Sequence, residues 1–208
     1  MSGINVEPRI VTQVLPFRIK YKDVFSLKNL YIMMHELLWE EGWNGYEGDR
    51  WHADIETLYS ENVFQKGIHA GGKDLWVWWR VQKNIEVKYS GYFKYLLDID
   101  FHGVYLKDIE VMHQGKKIKV ATGELELFFR PKIEGDYKGT WRAHWLLKHF
   151  QDTYEKRILW ADIEKMEKNL WRDTYRISAK IKDFLTLRTF VPVPEPFHPK
   201  LYGWEAEP

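Results

Sequence analysis

The segment Asp74-Leu-Trp-Val-Trp-Trp-Arg-Val-Gln82 alternates between two kinds of side chain, which is typical of a β-strand. Every second residue is apolar, and this set predicts a face that packs into a core: Leu75, Val77, Trp79 and Val81. The intervening set mixes aromatic, polar and charged side chains: Asp74, Trp76, Trp78, Arg80 and Gln82. We therefore expect Trp79 inside the protein and the other two tryptophans on a second face of a sheet.

The segment 92–102 divides in the same way, so the two-faced pattern extends across neighbouring strands. Its predicted core set is apolar: Phe93, Tyr95, Leu97, Ile99 and Phe101. The turn residues Ser90-Gly91, Gln114-Gly115 and Glu134-Gly135-Asp136 separate strand signals by short links. Strands are predicted over about 11–22, 52–59, 74–88, 92–101, 104–113, 116–129 and 136–144. Short links between neighbouring strands favour an antiparallel meander.

Helical spacing of apolar residues appears twice. Ser26 is a good N-cap for a helix over about 27–41, which Gly42 ends. From about residue 146 the period is again helical, and four residues predict one apolar face: Leu147, Phe150, Tyr154 and Ile158. After a break near Ala161-Asp162, a long helix to about 187 is predicted from a second stripe: Ile163, Met166, Leu170, Thr174, Ile177, Ile181 and Phe184.

This order predicts the α+β class, with about 6–7 strands in a curved antiparallel sheet packed on C-terminal helices. Residues 1–145 would hold an N-terminal arm, the first helix and the sheet, and residues 146–189 would complete the same domain with helices. Residues 190–208 contain five of the eight prolines and predict an extended arm. The arm carries three spaced aromatic residues: Phe197, Tyr202 and Trp204.

Composition narrows the classes of function. The 208 residues include 11 Trp, 12 Tyr and 11 Phe, an aromatic excess that favours packing against a partner. The formal net charge of +1 argues against a broad surface for nucleic acid, and the lysines of Gly115–Lys119 are typical of a solvated hairpin edge. The absence of cysteine excludes disulfides and cysteine-ligated metals. We expect no membrane partner and a cytoplasmic protein, or a virion component if the chain is virus-encoded.

Three residues of the second sheet face, Trp76, Trp78 and Arg80, are predicted to bind a partner, because Trp and Arg are enriched where binding energy concentrates. Phe197, Tyr202 and Trp204 of the arm are predicted to take part. The alternative interpretation is internal: the two rings lie under a loop such as 43–50 or cover each other, and the arm folds back on its own sheet.

A metal site is a further alternative. Asp98, Asp100 and His102 alternate along one strand and share a face, and paired carboxylates can hold a hard divalent ion. The competing interpretation pairs these carboxylates with Lys94, Arg80 or Lys107 across strands. We expect the latter and predict no catalytic residue, no metal and no cofactor.

The sequence thus favours a non-enzymatic structural or interaction protein that assembles with itself or with another protein. The order of elements also resembles that of helix-grip proteins. That resemblance implies an apolar ligand held between the sheet and the long helix. Three classes remain open at this stage: an assembly protein, a ligand-binding module and a metal-dependent enzyme that uses Asp98, Asp100 and His102.

Overall fold

The computed structural model describes residues 8–45, 55–68, 70–85, 91–113 and 116–187, without the side chains of residues 113 and 116. Seven strands form one antiparallel sheet: β1 (Ile10–Gln13), β2 (Phe17–Phe25), β3 (Asn44–Gly45), β4 (Glu56–Val63), β5 (Lys73–Asn84), β6 (Phe93–His113) and β7 (Lys116–Gly135). The helices are α1 (Leu27–Glu40), α2 (Thr140–Ala143), α3 (Leu147–Thr153), a π-helix (Tyr154–Ile158) and α4 (Trp160–Phe184). The α+β prediction is confirmed.

The centre of the sheet is the antiparallel meander β5-β6-β7, as the turn signals predict. β1 and β2 both pair with β7 on one side, and β3 and β4 both pair with β5 on the other. The segments 92–101 and 104–113 were predicted as two strands, but they form the single long strand β6. Their pairing with β7 is irregular between Val104 and Lys107, and this bulge explains why the alternation changes phase there.

The bulge brings two backbones close together at Gly123 of β7. A Cβ atom at this position would lie 2.9 Å from Leu106 Cδ2 and 3.0 Å from the carbonyl oxygen of Tyr105. Gly123 also has φ +154°, which L side chains rarely adopt. Tyr105 itself has a positive φ of 52°. The close approach of β6 and β7 at this bulge therefore requires a residue without a side chain at position 123.

One apolar core joins the sheet to α1 and α4. Ser26 Oγ accepts a hydrogen bond from the Asn29 backbone N–H at 3.4 Å and so begins α1, and Gly42 follows its end with φ +79°. The predicted stripe of α4 is buried at six of its seven positions; only Phe184 is exposed. Trp79 is 1% exposed, which confirms the prediction from its parity.

Two strand predictions are wrong. The segment 11–22 is not one strand, because residues 14–16 interrupt it where Pro16 cannot donate to a ladder. The segment 136–144 is a turn followed by the short helix α2. The buried carboxylate of Asp136 accepts hydrogen bonds from the backbone N–H groups of Trp141 at 3.1 Å and Arg142 at 2.9 Å, and these fix the helical turn.

The predicted apolar face of the segment after residue 146 is not a buried face. Phe150 and Ile158 are exposed, while Gln151, Glu155 and Leu159 are buried. The break in the helix, predicted near Ala161-Asp162, lies at the π-helix and Leu159. The inward side therefore combines the polar residues Gln151 and Glu155 with Tyr154 and Leu159, while Phe150 and Ile158 face outward.

Candidate functional site

The second face of the sheet is organised in rows that cross three strands. Trp78 of β5 lies opposite Asp100 of β6, which lies opposite Phe128 of β7. In the next row Arg80 lies opposite Asp98, and Asp98 lies opposite Arg130. Each aspartate thus lies between two residues of another kind, aromatic in the first row and cationic in the second.

The two carboxylates of this face are held in a network of cations. The Arg80 guanidinium donates to Asp100 Oδ1 at 2.7 Å, and its Nε lies 3.6 Å from Asp98 Oδ1. Arg130 donates to the other oxygen of Asp100, and Lys132 Nζ donates to Asp98 Oδ2 at 2.6 Å. Each carboxylate therefore has one cation from β5 and another from β7.

This network makes the acidic pair a poor metal site. Asp98 and Asp100 are only 8% and 7% exposed, and their oxygens already face guanidinium or ammonium groups. A divalent cation would have to displace these partners and would leave them unpaired. Within the described ranges, no group of three or more His, Asp or Glu side chains could hold a metal ion.

His102 is directed to different partners. Its ring stacks on Trp76 with 3.8 Å between centroids, and its Nε2 lies 3.3 Å from Asp74 Oδ1. The Trp76 indole N–H donates to the other oxygen of Asp74 at 3.2 Å. The structure thus separates His102 from the salt-bridge network around Asp98 and Asp100, although all three side chains share a face.

Trp78 is the more accessible tryptophan of this face, with 39% of its surface exposed, whereas Trp76 is partly buried under the stack with His102. The Arg80 guanidinium carbon lies 5.5 Å from the centroid of the Trp78 ring, within cation–π range. Because Arg80 is also fixed by Asp98 and Asp100, it is held in one position beside the ring. The structure brings the three predicted residues Trp76, Trp78 and Arg80 to one surface.

Two members of the network were not predicted, Arg130 and Lys132. Both residues continue the alternation of Glu126 and Phe128, but the predicted strand ended at residue 129, and only the register of β6 with β7 brings them to the aspartates. Arg80 was predicted correctly as a partner of the carboxylates. Lys94, another predicted partner, instead donates to Gln82 Oε1 at 3.0 Å, and burial lowers the pKa of its ammonium group. Lys107 lies beyond the bulge and pairs in register with Thr122.

A second polar cluster lies where β1 and β6 meet the π-helix. Glu155 is 3% exposed and accepts a hydrogen bond from the Tyr92 hydroxyl at 2.6 Å and another from Arg9 Nη2 at 2.8 Å. Gln151 Nε2 donates to the Tyr92 oxygen at 3.1 Å. Burial, and then the bond to Glu155, raise the pKa of Tyr92; the bond to Glu155 also raises the pKa of Arg9. These groups satisfy one another, so the cluster attaches the helical segment to the sheet.

The space between the sheet and α4 is filled rather than hollow. Trp79, Phe101 and Phe129 from the sheet and Leu170 and Ile177 from α4 are all at most 1% exposed. A chamber for an apolar ligand, as the helix-grip resemblance implies, would need this volume. A cleft of about 590 Å³ between α4 and the end of β5 is lined largely by charged residues such as Lys83, Asp173 and Arg172.

Phe197, Tyr202 and Trp204 lie outside the described residues. No helix in the described part of the chain is long and apolar enough to cross a membrane. Comparison with known proteins gives no match: no family model, no curated protein and no solved structure is similar to this chain.

Proposed function

We propose that this protein is a non-enzymatic assembly protein, which associates with copies of itself or with another protein through the second sheet face. The observation that carries the proposal is the geometry around Trp78, an accessible indole beside an arginine that two buried carboxylates hold in place. Binding costs the entropy of ordering side chains, and a fixed Arg–Trp pair incurs little of it.

The charges of this surface also favour a protein partner. The two aspartates are balanced by three cations, so the network formed by Arg80, Arg130, Lys132, Asp98 and Asp100 carries a formal charge of about +1. Aromatic surface with locally neutralised charge is typical of the centre of protein interfaces, where Trp and Arg contribute most of the affinity. A surface that binds nucleic-acid phosphates would need a larger excess of cations.

Sedimentation velocity on the full chain tests the proposal, with Trp78→Ala and Trp39→Ala compared at equal concentration. Trp39 is a matched control, because it is also a half-exposed tryptophan but lies on α1, on the opposite side of the sheet. We expect species heavier than the 25.1 kDa single chain. Trp78→Ala should weaken association about 30-fold, the effect of losing a central interfacial tryptophan.

Thermal unfolding of both variants checks that each keeps its fold. Equal effects of Trp78→Ala and Trp39→Ala on association would remove the sheet face from the proposal. A chain that stays monomeric over the whole concentration range would rule out self-assembly.

A further inference from the structure

The helical segment before α4 presents an apolar surface to the outside. Five large side chains form it, which we call the helical patch: Trp145 (74% exposed), Leu146 (42%), Phe150 (57%), Ile158 (65%) and Trp160 (59%). Leu146 and Phe150 are four residues apart and so lie along one side of the helix. Tyr154, the next residue at this spacing, is instead half-buried against the core, and Ile158 beyond it is exposed again. Clustered apolar side chains of this size on a surface mark an interaction site.

The orientation of the helical patch is fixed from beneath. Glu155 and Gln151, on the inward side of the segment, bind Tyr92 of the sheet, and Glu155 also binds Arg9 ahead of β1. Turning the apolar side inward would break these bonds and leave the Arg9 guanidinium and the Tyr92 hydroxyl without partners. The outward apolar side is therefore a stable feature of the fold.

Exposed cations adjoin the helical patch. Lys148, Lys156 and Arg157 lie on the same segment and are exposed. Asp152, the exposed acid among them, is paired with Arg9, whose hydrogen bond lowers the pKa of its carboxyl group. Glu164 and Glu167 line the cleft beside Trp160, and Glu164 is paired with Lys168 at 2.7 Å. A ligand that combines apolar anchors with carboxylates would match both the rings and the cations around them.

The chain itself contains such a ligand in Leu201-Tyr-Gly-Trp-Glu-Ala-Glu207. This segment has three apolar anchors, Leu201, Tyr202 and Trp204, followed by two acids, Glu205 and Glu207. We propose that it docks on the helical patch of its own chain, with the aromatic rings against Phe150 and Trp160 and the carboxylates beside the cations.

The length of the intervening chain fits this placement. α4 has 25 residues and rises about 37 Å from Trp160, at the helical patch, to its C-terminal end. Residues 188–200 contain four prolines, and the stretch from residue 188 to Leu201 would span about 43 Å in polyproline geometry. An arm that returns along α4 therefore brings Tyr202 and Trp204 to the helical patch. Attachment to the same chain also gives the arm an effective concentration that free copies do not reach.

The helical patch is separate from the sheet face and does not include Trp78. Docking there extends the proposed function by giving the arm a site of its own. The sheet face can then bind a partner whether or not the arm is docked, so failure of one proposal leaves the other intact.

The absence of cysteine makes disulfide trapping a clean test. One full-length variant carries Thr153→Cys and Gly203→Cys, which places the thiols at the helical patch and between the two aromatic anchors of the arm. The control carries Glu40→Cys and Gly203→Cys. Glu40 is exposed, and its neighbour Glu41 binds Arg176 at 2.9 Å in the C-terminal half of α4, nearer to where the arm begins.

An undocked arm would reach position 40 at least as fast as position 153. We expect the intramolecular disulfide at position 153 to form about tenfold faster at low protein concentration. Adding Trp204→Ala should remove most of that advantage. Equal rates, or a faster reaction at position 40, would overturn the proposal. Predominantly disulfide-linked dimers at position 153 would overturn it as well, because the arm of a second copy would then be the occupant.

Discussion

Two consecutive helical segments bury different kinds of side chain. The first consists of α3 and the π-helix, and the second is α4. α4 buries Leu170, Ile177 and Ile181 against the apolar face of the sheet. The preceding segment buries Gln151 and Glu155 and leaves Phe150 and Ile158 exposed. Both have apolar residues at helical spacing, but only α4 directs nearly all of them inward; in the preceding segment Tyr154 packs against the core while Phe150 and Ile158 are exposed.

The difference lies in the surfaces that receive the two helices. α4 lies over a sheet face made mostly of rings and branched side chains, from which Tyr95 donates a hydrogen bond to the Met166 carbonyl at 3.2 Å. The π-helix lies where Arg9 and Tyr92 meet, and these groups require a buried acceptor. Rotating the segment to cover Phe150 and Ile158 would leave a guanidinium and a hydroxyl without their carboxylate, and this penalty opposes the rotation. The π-helical turn also changes the number of residues per turn, so that side chains after Thr153 no longer follow the spacing of an α-helix.

The largest expected effect is on the α4 side of this comparison. Ile177→Ala should lower the free energy of unfolding by about 2–5 kcal/mol, because it removes a fully buried side chain and leaves a cavity. Urea denaturation followed by circular dichroism measures this change. A loss within about 0.5 kcal/mol would mean that α4 does not bury its stripe in solution.

Each helical segment is held to the sheet by one tyrosine. Tyr92 lies in the turn before β6, and Tyr95 lies on β6 itself. Tyr92 donates to the Glu155 carboxylate, and Tyr95 donates to the Met166 carbonyl of α4 at 3.2 Å. Tyr92→Phe should cost about 1.5–3 kcal/mol and Tyr95→Phe about 0.5–1.5 kcal/mol, since a charged acceptor makes the stronger bond. Equal losses in urea titrations would indicate that the Glu155 cluster contributes nothing special.

The stability of the unaltered chain should depend more strongly on alkaline pH than the stability of the Tyr92→Phe and Tyr95→Phe variants. Burial raises the pKa of Tyr95 to about 12 and, together with the bond to Glu155, raises the pKa of Tyr92 as well. A raised pKa in the folded state gives stability that is complete below the unfolded tyrosine pKa of about 10 and is lost as the pH rises through the folded value. The stability of each variant should therefore fall less between pH 9 and 11 than that of the unaltered chain. Parallel curves would contradict both assignments.

The smallest expected effect is on the outward side of the helical patch. Phe150→Ala should change the free energy of unfolding by less than about 1 kcal/mol, because the side chain is largely outside the core. The same chemical denaturation measures it beside Ile177→Ala. A cost similar to that of Ile177→Ala would show that this ring belongs to the core and that the two segments do not differ.

The sequence alone determined the features that depend on local periodicity. Alternation along β5 placed Trp79 inside and Trp76, Trp78 and Arg80 together on the second face, because successive strand residues must point to opposite sides. The capping residue Ser26 and the stripe of α4 were predicted for the same reason, since each follows from the geometry of one element.

Only the tertiary structure decided how those elements meet. Arg130 and Lys132 became partners of Asp100 and Asp98 through the register of β6 with β7, which no single strand specifies. The outward direction of Phe150 and Ile158 depended on Arg9, which lies 146 positions from Glu155 in the chain. Periodicity fixes which residues share a side of a helix or strand, but the surface that receives the element, brought there by distant parts of the chain, selects the side that is buried.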